Sequence, residues 1–214
     1  MTIVIVVLNL KGGAQKTTTS GYLLKAFEES GMSPMGIDSD NENQSLAGWQ
    51  ADADLPFPVI SLTQHNIHQL LPGYVSGKHG VAVIDTPPMQ AQKGTVASAV
   101  RAADIALITL APTPIDYDRV AAVRQLVEEV GPLRPSGKPP RLAVLLTKCP
   151  GYPAKSPKVW RDQLTADGLH VLKAQVGRSE QFAQAFGSRI DHALRSVYGD
   201  VASELLDLVD QEED

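Results

Sequence analysis

Along this chain, short runs of Val, Ile and Leu alternate with stretches in which apolar residues recur at helical spacing. Ile3–Leu8 is an unbroken apolar run and reads as a buried strand. Residues 17–30 follow with helical periodicity and stop at Gly31. Further strands are expected at 35–38, at Val81–Asp85 (closed by Thr86, Pro87 and Pro88), at 105–111 (ended by Pro112), at 142–147 and at 169–172. Helices are expected at 64–71 (stopped by Pro72), 92–102, 116–130, 157–166, 179–186 and 190–209. In the stretch 116–130, Val120, Val123, Val127 and Val130 mark one face. Pro-rich residues 132–140 lie between a helix and a strand and read as a surface loop. Strands rich in branched residues that alternate with helices predict an α/β fold. It would be doubly wound, a mostly parallel twisted sheet with helices on both faces. Ligands in such folds bind beyond the carboxyl ends of the strands. The functional residues are therefore expected just after Leu8, Asp38, Asp85, Ala111 and Thr147.

Composition narrows the class. The chain has 214 residues, a length that fits one domain at roughly 100–200 residues per domain, so residues 1–214 are read as a single unit. Hydrophobic residues make up 43%, enough for a packed core. No apolar run approaches the roughly 20 residues that span a bilayer, and no signal-peptide pattern opens the sequence. The one cysteine, Cys149, forms no internal disulfide and no thiolate metal cluster, which points to a reducing, cytoplasmic setting. The net charge of −5 is unevenly distributed. Residues 1–133 carry 8 Lys/Arg against 13 Asp/Glu, residues 134–178 carry 9 against 2, and residues 179–214 carry 2 against 9. A +7 block thus stands beside a −7 tail.

The first strand leads into Leu10, Lys11, Gly12, Gly13, Ala14, Gln15, Lys16, Thr17 and Thr18, and then a helix. A glycine-containing loop between a strand and a helix N-terminus is an anion cradle. Backbone N–H groups and the helix dipole face phosphate oxygens, a lysine neutralises charge and the following hydroxyl serves Mg²⁺. Gly12, Gly13, Lys16 and Thr17 fill those places here. Two carboxylate segments follow. Asp38 and Asp40 close the second strand, and the apolar strand Val81–Asp85 delivers Asp85 at its end, a pattern that places an acid near a nucleotide-bound metal.

The loop, with Lys11 ahead of the glycines, resembles the deviant Walker A box of the ParA/MinD family of dimeric ATPases. That resemblance implies ATP and Mg²⁺ as ligands and a homodimer closed over nucleotide. It also implies Lys11 as the residue that reaches the partner's nucleotide, and a cradle of residues 11–18. It makes Lys11, Lys16 and Asp40 the catalytic set, with Asp40 orienting water, and Thr17, Asp38 and Asp85 the metal-side set. Thr147 and Lys148 stand where the family contacts the base, and Pro112, Pro114 and Asp116 match a segment near the dimer face. The resemblance implies non-specific DNA binding, a ParB-like or other adaptor partner that stimulates hydrolysis, and a nucleoid-associated location. Lys155, Lys158, Arg161, Lys173, Arg178, Arg189 and Arg195 are the candidate DNA contacts. The chain opens on a strand, so no N-terminal DNA-binding extension is expected. The acidic final helix argues against the membrane-bound branch. Cargo is expected to be DNA, with a protein assembly as the alternative.

Two departures stand out. Asn41 replaces the family's proline after Asp40, and Gln15 replaces the glycine before Lys16. A glutamine there either blocks nucleotide, distorts the loop or obstructs the face that meets a second subunit, or it tilts harmlessly into solvent. The blocking readings make a hydrolysis-deficient binding module an alternative function. His65 and His68, Cys149, Trp49 and Trp160 are read as surface or packing residues.

Overall fold

A computed structural model describes residues 2–75 and 77–210. Its strands are β1 (Ile3–Leu8), β2 (Pro34–Asp38), β3 (Val59–Ser61), β4 (Val81–Asp85), β5 (Ile105–Leu110), β6 (Arg141–Cys149) and β7 (His170–Gly177). They form one seven-stranded sheet in the order β3-β2-β4-β1-β5-β6-β7, and every pairing is parallel. The helices are α1 (Lys16–Glu29), α2 (Ser45–Ala53), α3 (Ile67–Val75), α4 (Lys93–Ala102), α5 (Pro114–Asp118), α6 (Val120–Val130), α7 (Ser156–Ala166), α8 (Glu180–Ala183) and α9 (Val197–Asp210). The expected doubly wound fold is the observed one.

The two-residue period of the strands builds two cores. In β1, Val4, Val6 and Leu8 face one layer with α3, α4 and α6. Ile5 and Val7 face the other, with α1, α2 and α9. The second layer holds an aromatic cluster. Tyr22 stacks on Tyr198 at 4.9 Å and meets Phe182 edge-on at 5.1 Å. Trp49 is fully buried beside them, and its Nε1–H donates to Ser188 O at 2.7 Å. The apolar face of α9 (Tyr198, Val201, Ala202, Leu205, Leu208) is spent on this core. Among the described residues no helix is long and apolar enough to cross a membrane.

Several expected boundaries need correction. The helix expected to stop at Pro72 runs through it to Val75. Pro72 is exposed, while Leu71 and Val75, one turn apart, are buried, so packing outweighs the lost backbone bond. The single helix expected at 116–130 is two, broken at Arg119, whose Nη1 closes back on Asp116 Oδ1 at 2.7 Å. The expected helix 179–186 shrinks to α8, and that at 190–209 starts only at Val197, after a 3-10 turn at Ala193–Arg195. The expected strand 169–172 extends to Gly177. Helix α2 and strand β3 carried no expectation.

Strand β1 lies between β4 and β5, so the chain winds first to one side of β1 and later to the other. The carboxyl end of β1 is thus the switch point of the sheet, where such folds open a crevice.

Candidate nucleotide site

Beyond Leu8 the start of the loop is fastened on two sides, to β5 and to the segment after β4. The Asn9 side-chain amide donates to Thr109 O on β5, and its Oδ1 accepts from Lys11 N at 3.0 Å. The segment after β4 is bonded to the same loop, with Met89 N donating to Asn9 O and Gln90 N to Leu10 O, both at 3.1 Å. Gly13 and Gln15 both have left-handed backbones, at φ +72° and +60°. Gln15 therefore keeps the backbone conformation that a glycine would favour there. Its side chain is half-buried, and Oε1 is buried with no hydrogen-bond partner. Lys16 is buried, and its Nζ donates to Lys11 O at 3.3 Å. Burial lowers the Lys16 pKa, and the attraction of Asp85 and Asp40 opposes that shift. Gly12, Gly13 and the Lys11 side chain are exposed, Ala14 and Thr18 partly so.

Asp85 is the centre of the site. It is 2% exposed at the end of β4, and its Oδ2 accepts from Thr17 Oγ1 at 2.7 Å and its Oδ1 from Ser20 Oγ at 3.1 Å. Burial pushes its pKa up to about 7. The Thr17 hydroxyl and the Lys16 charge lower it, while the Asp38 charge adds to the rise. Ser39 fixes the strand end by donating from both N–H (3.0 Å) and Oγ (2.7 Å) to Asp85 O.

Asp38, expected on the metal side, is fully buried at the end of β2 and also fastens the segment that follows. Its Oδ2 accepts from Leu46 N (2.8 Å) and Ala47 N (3.0 Å), and its Oδ1 from Asp40 N (3.1 Å). The carboxylate is committed to the start of α2, which has no side-chain cap from its own first residues. Burial raises its pKa, and those three N–H groups hold it back. Asp40 folds its own loop as well, accepting from Glu42 N, Asn43 N and Asn43 Nδ2. Gln92 Nε2 reaches Asp40 Oδ1 at 3.4 Å and so joins the loop after β2 to the segment after β4.

On the other side of β1, Thr147 is fully buried with its hydroxyl unpartnered, and Lys148 sends its Nζ to Gly13 O at 2.6 Å. Pro112 is buried and Pro114 opens α5, where Thr113 Oγ1 accepts from Asp116 N and donates to Asp116 Oδ2. The basic candidates divide. Arg161 is engaged with Leu172 O, Lys173 O and Gln175 Oε1 on β7, and Lys158 pairs with Asp162 at 2.6 Å. The Lys155, Lys173, Arg178, Arg189 and Arg195 side chains are exposed, and among the described residues they carry no partner.

Sequence reasoning missed Ser20, Ser39, Asn9 and Gln92. Ser20 was detectable, since it lies three residues after Thr17 on the same helix face. The others depend on where the segments after β1, β2 and β4 come to lie, which no spacing encodes.

This donor set fits a nucleotide and a divalent cation. It offers an open backbone cradle, a buried ammonium and a buried carboxylate already carrying two hydroxyls. Among the described residues no three His, Cys, Asp or Glu side chains converge, so an ion here takes few protein ligands. That suits Mg²⁺, which keeps water and phosphate oxygens in its shell.

Known proteins agree with this picture. The chain is 32% identical over 146 residues to a maintenance of carboxysome distribution protein A from Gloeobacter kilaueensis, across 68% of this chain and 62% of that protein. It thus spans less than two thirds of that relative's length. The fold matches Cyanothece apo McdA with a TM-score of 0.76 at 17% identity, covering 96% of this chain and 100% of that one. It matches cobyrinic acid a,c-diamide synthase from Mycobacterium smegmatis with bound ADP and magnesium with a TM-score of 0.75 at 20% identity, covering 96% and 94%. A family model, the CobQ/CobB/MinD/ParA nucleotide binding domain, matches residues 5–191, and this chain belongs to that family.

Proposed function

We propose that this protein is a Mg²⁺-dependent ATPase of the ParA type that dimerises on ATP, binds DNA non-specifically in that state and segregates DNA. Hydrolysis stimulated by a ParB-like or other small adaptor partner resets it. The observation that carries this reading is the buried Asp85 carboxylate held by Thr17 and Ser20 beside buried Lys16. A bound magnesium ion supplies charge neutralisation and alignment to the terminal phosphates. The chain's own residues do the rest. Gly12 to Thr18 supply N–H groups and the helix N-terminus to the phosphates. Lys16 neutralises phosphate charge, and Thr17 and Asp85 hold the metal side. Lys11 is exposed and free to reach a second subunit's nucleotide. Asp40 orients water once its contacts within residues 40–43 are released, which makes basal turnover slow. Thr147 and Lys148 border the nucleotide, and Pro112, Pro114 and Asp116 border the dimer face. The protein acts in the cytoplasm, on the nucleoid.

A second reading concerns the cargo. The relative from Gloeobacter kilaueensis maintains carboxysome distribution, which favours a protein assembly as cargo on the same machinery. Calorimetry with ATP and Mg²⁺, followed by phosphate release, tests the core of the proposal. Wild-type protein binds and turns over slowly, and Lys16→Ala does neither. Wild-type protein that binds no nucleotide leaves only a partner-binding module. If Gln15→Gly alone then binds, Gln15 is the cause.

A further inference from the structure

Lys148 is the residue whose placement the strand pattern does not explain. In β6, Val144 and Leu146 point into one core and Leu145 into the other, as a two-residue period requires. Continued, that period would drive Lys148 into the same apolar layer as Leu146. Instead the pairing of β6 with β7 shifts register between Leu146 and Cys149, and Cys149 takes the core position. The extra residue is absorbed with Lys148 at φ +52°, a left-handed conformation unfavourable for a residue with a Cβ. The bulge turns Lys148 out of the core and brings its Nζ to Gly13 O at 2.6 Å.

That carbonyl belongs to the cradle. A trans peptide is planar, so the Gly13 C=O and the Ala14 N–H point in opposite directions. An ammonium that holds the carbonyl on the β6 side therefore turns the Ala14 N–H to the other side. Gly13, which has no Cβ, resists rotation of this peptide less than any other residue would, so the steric restraint comes mainly from Ala14. A charged hydrogen bond from a rigid strand end is a means of fixing it. The Lys16 contact with Lys11 O fixes a neighbouring carbonyl only while Lys16 is not engaged elsewhere.

We propose that Lys148 is a positioning residue that pins the Gly13–Ala14 peptide, so that the loop is set for polyphosphate before ligand arrives; this rests on the nucleotide reading above. The role is distinct from a contact with the base, which its position near the carboxyl end of β6 would suggest. The two roles separate on a ligand without a base. Wild type, Lys148→Met and Lys148→Arg are titrated with Mg·ATP, and with tripolyphosphate read by competition against a fluorescent ATP analogue. The pin predicts that Lys148→Met weakens both ligands by a similar factor of about ten, which corresponds to about 1.4 kcal/mol. Lys148→Arg, which keeps the charge and the donors, recovers most of it. Hydrogen exchange on ligand-free Lys148→Met is faster than wild type at the amides of residues 12–15, with an unchanged melting temperature confirming the fold. Loss of ATP affinity with tripolyphosphate unaffected assigns Lys148 to the base and overturns the proposal. So does unchanged affinity for both, or unchanged exchange at the loop. Failure of wild type itself to bind ATP overturns the nucleotide reading and is visible without any variant.

Discussion

At the scale of single residues, Gln15 and Asp85 carry the consequences that can be measured. Gln15 holds the loop in a left-handed backbone that costs a residue with a Cβ about 1–2 kcal/mol. Glycine there escapes that cost but loses about 0.5–1 kcal/mol to its freer unfolded chain. Gln15→Gly is therefore expected to stabilise the protein by about 0.5–1 kcal/mol, read as a higher urea midpoint with an unchanged slope. Of the outcomes open from sequence, loop distortion is the one the backbone argues against, because residue 15 already has the glycine conformation. Asp85 carries a sign that can be worked out. Its pKa is about 7 in the folded chain, against 3.8 as the ordinary value, so between those two the folded state holds a proton that the unfolded state has released. Stability from this group is complete below about pH 4 and is lost as pH rises towards 7. Asp85→Asn removes the titration. In metal-free protein, melting temperatures from pH 5 to pH 8 should show the variant gaining on wild type as pH rises, by a few kcal/mol at most. A gap that does not change with pH would mean that Asp85 is not desolvated.

At the scale of elements, legibility followed burial. Strands β1, β4 and β5 are central and buried throughout apart from half-buried Ile3, so their composition alone marks them, and Asp85 at the end of β4 was readable for that reason. The loop between β1 and α1 was readable because glycines, lysine and threonine are needed in that order by a phosphate. Elements that rely on distant contacts were not. Helix α2 has no capping residue of its own; it starts where Asp38, eight residues upstream, accepts the N–H groups of Leu46 and Ala47. It then docks Trp49 over Gly21 of α1, where a Cβ would lie 2.8 Å from the ring. Neither relation has a local signature. The same geometry makes a prediction. Asp38→Ala leaves the buried Leu46 N–H and its neighbours without an acceptor, at about 1–3 kcal/mol. Urea unfolding should register that loss with or without nucleotide. A loss of activity without a loss of stability would instead give Asp38 the metal-side role.

At the scale of the whole molecule, the sequence showed charge block by block but not which cations are already engaged. Within the +7 block, Arg134 donates to the carbonyls of Arg101, Ala103 and Lys138, Arg161 ties α7 to β7, and Lys158 is paired with Asp162. Arg134 and Arg161 tie separate segments of the fold together, whereas the exposed Lys158–Asp162 pair within α7 adds little. The acidic C-terminal helix also has a structural task, since Glu204 accepts from Lys173 N and Ala174 N and so covers part of the edge strand β7. The cations left over at this edge are Lys155 at the start of α7 and Lys173 and Arg178 on and just beyond β7. If the ATP-bound protein binds DNA as proposed, these three should meet phosphates, and the logarithmic salt dependence should lose about 0.9 for each contact removed. The combined Lys155→Ala, Lys173→Ala and Arg178→Ala variant is therefore expected to bind DNA more weakly and with a flatter salt slope, at unchanged melting temperature. Arg161→Ala is expected to do the reverse, melting earlier because the Leu172 and Lys173 carbonyls lose their donor while the slope stays as in wild type. A triple variant with an unaltered slope would move the DNA face to Arg189 and Arg195, which flank Ile190 and Ala193 in the core layer of α1 and α9, and would leave those three cations without a part in DNA binding.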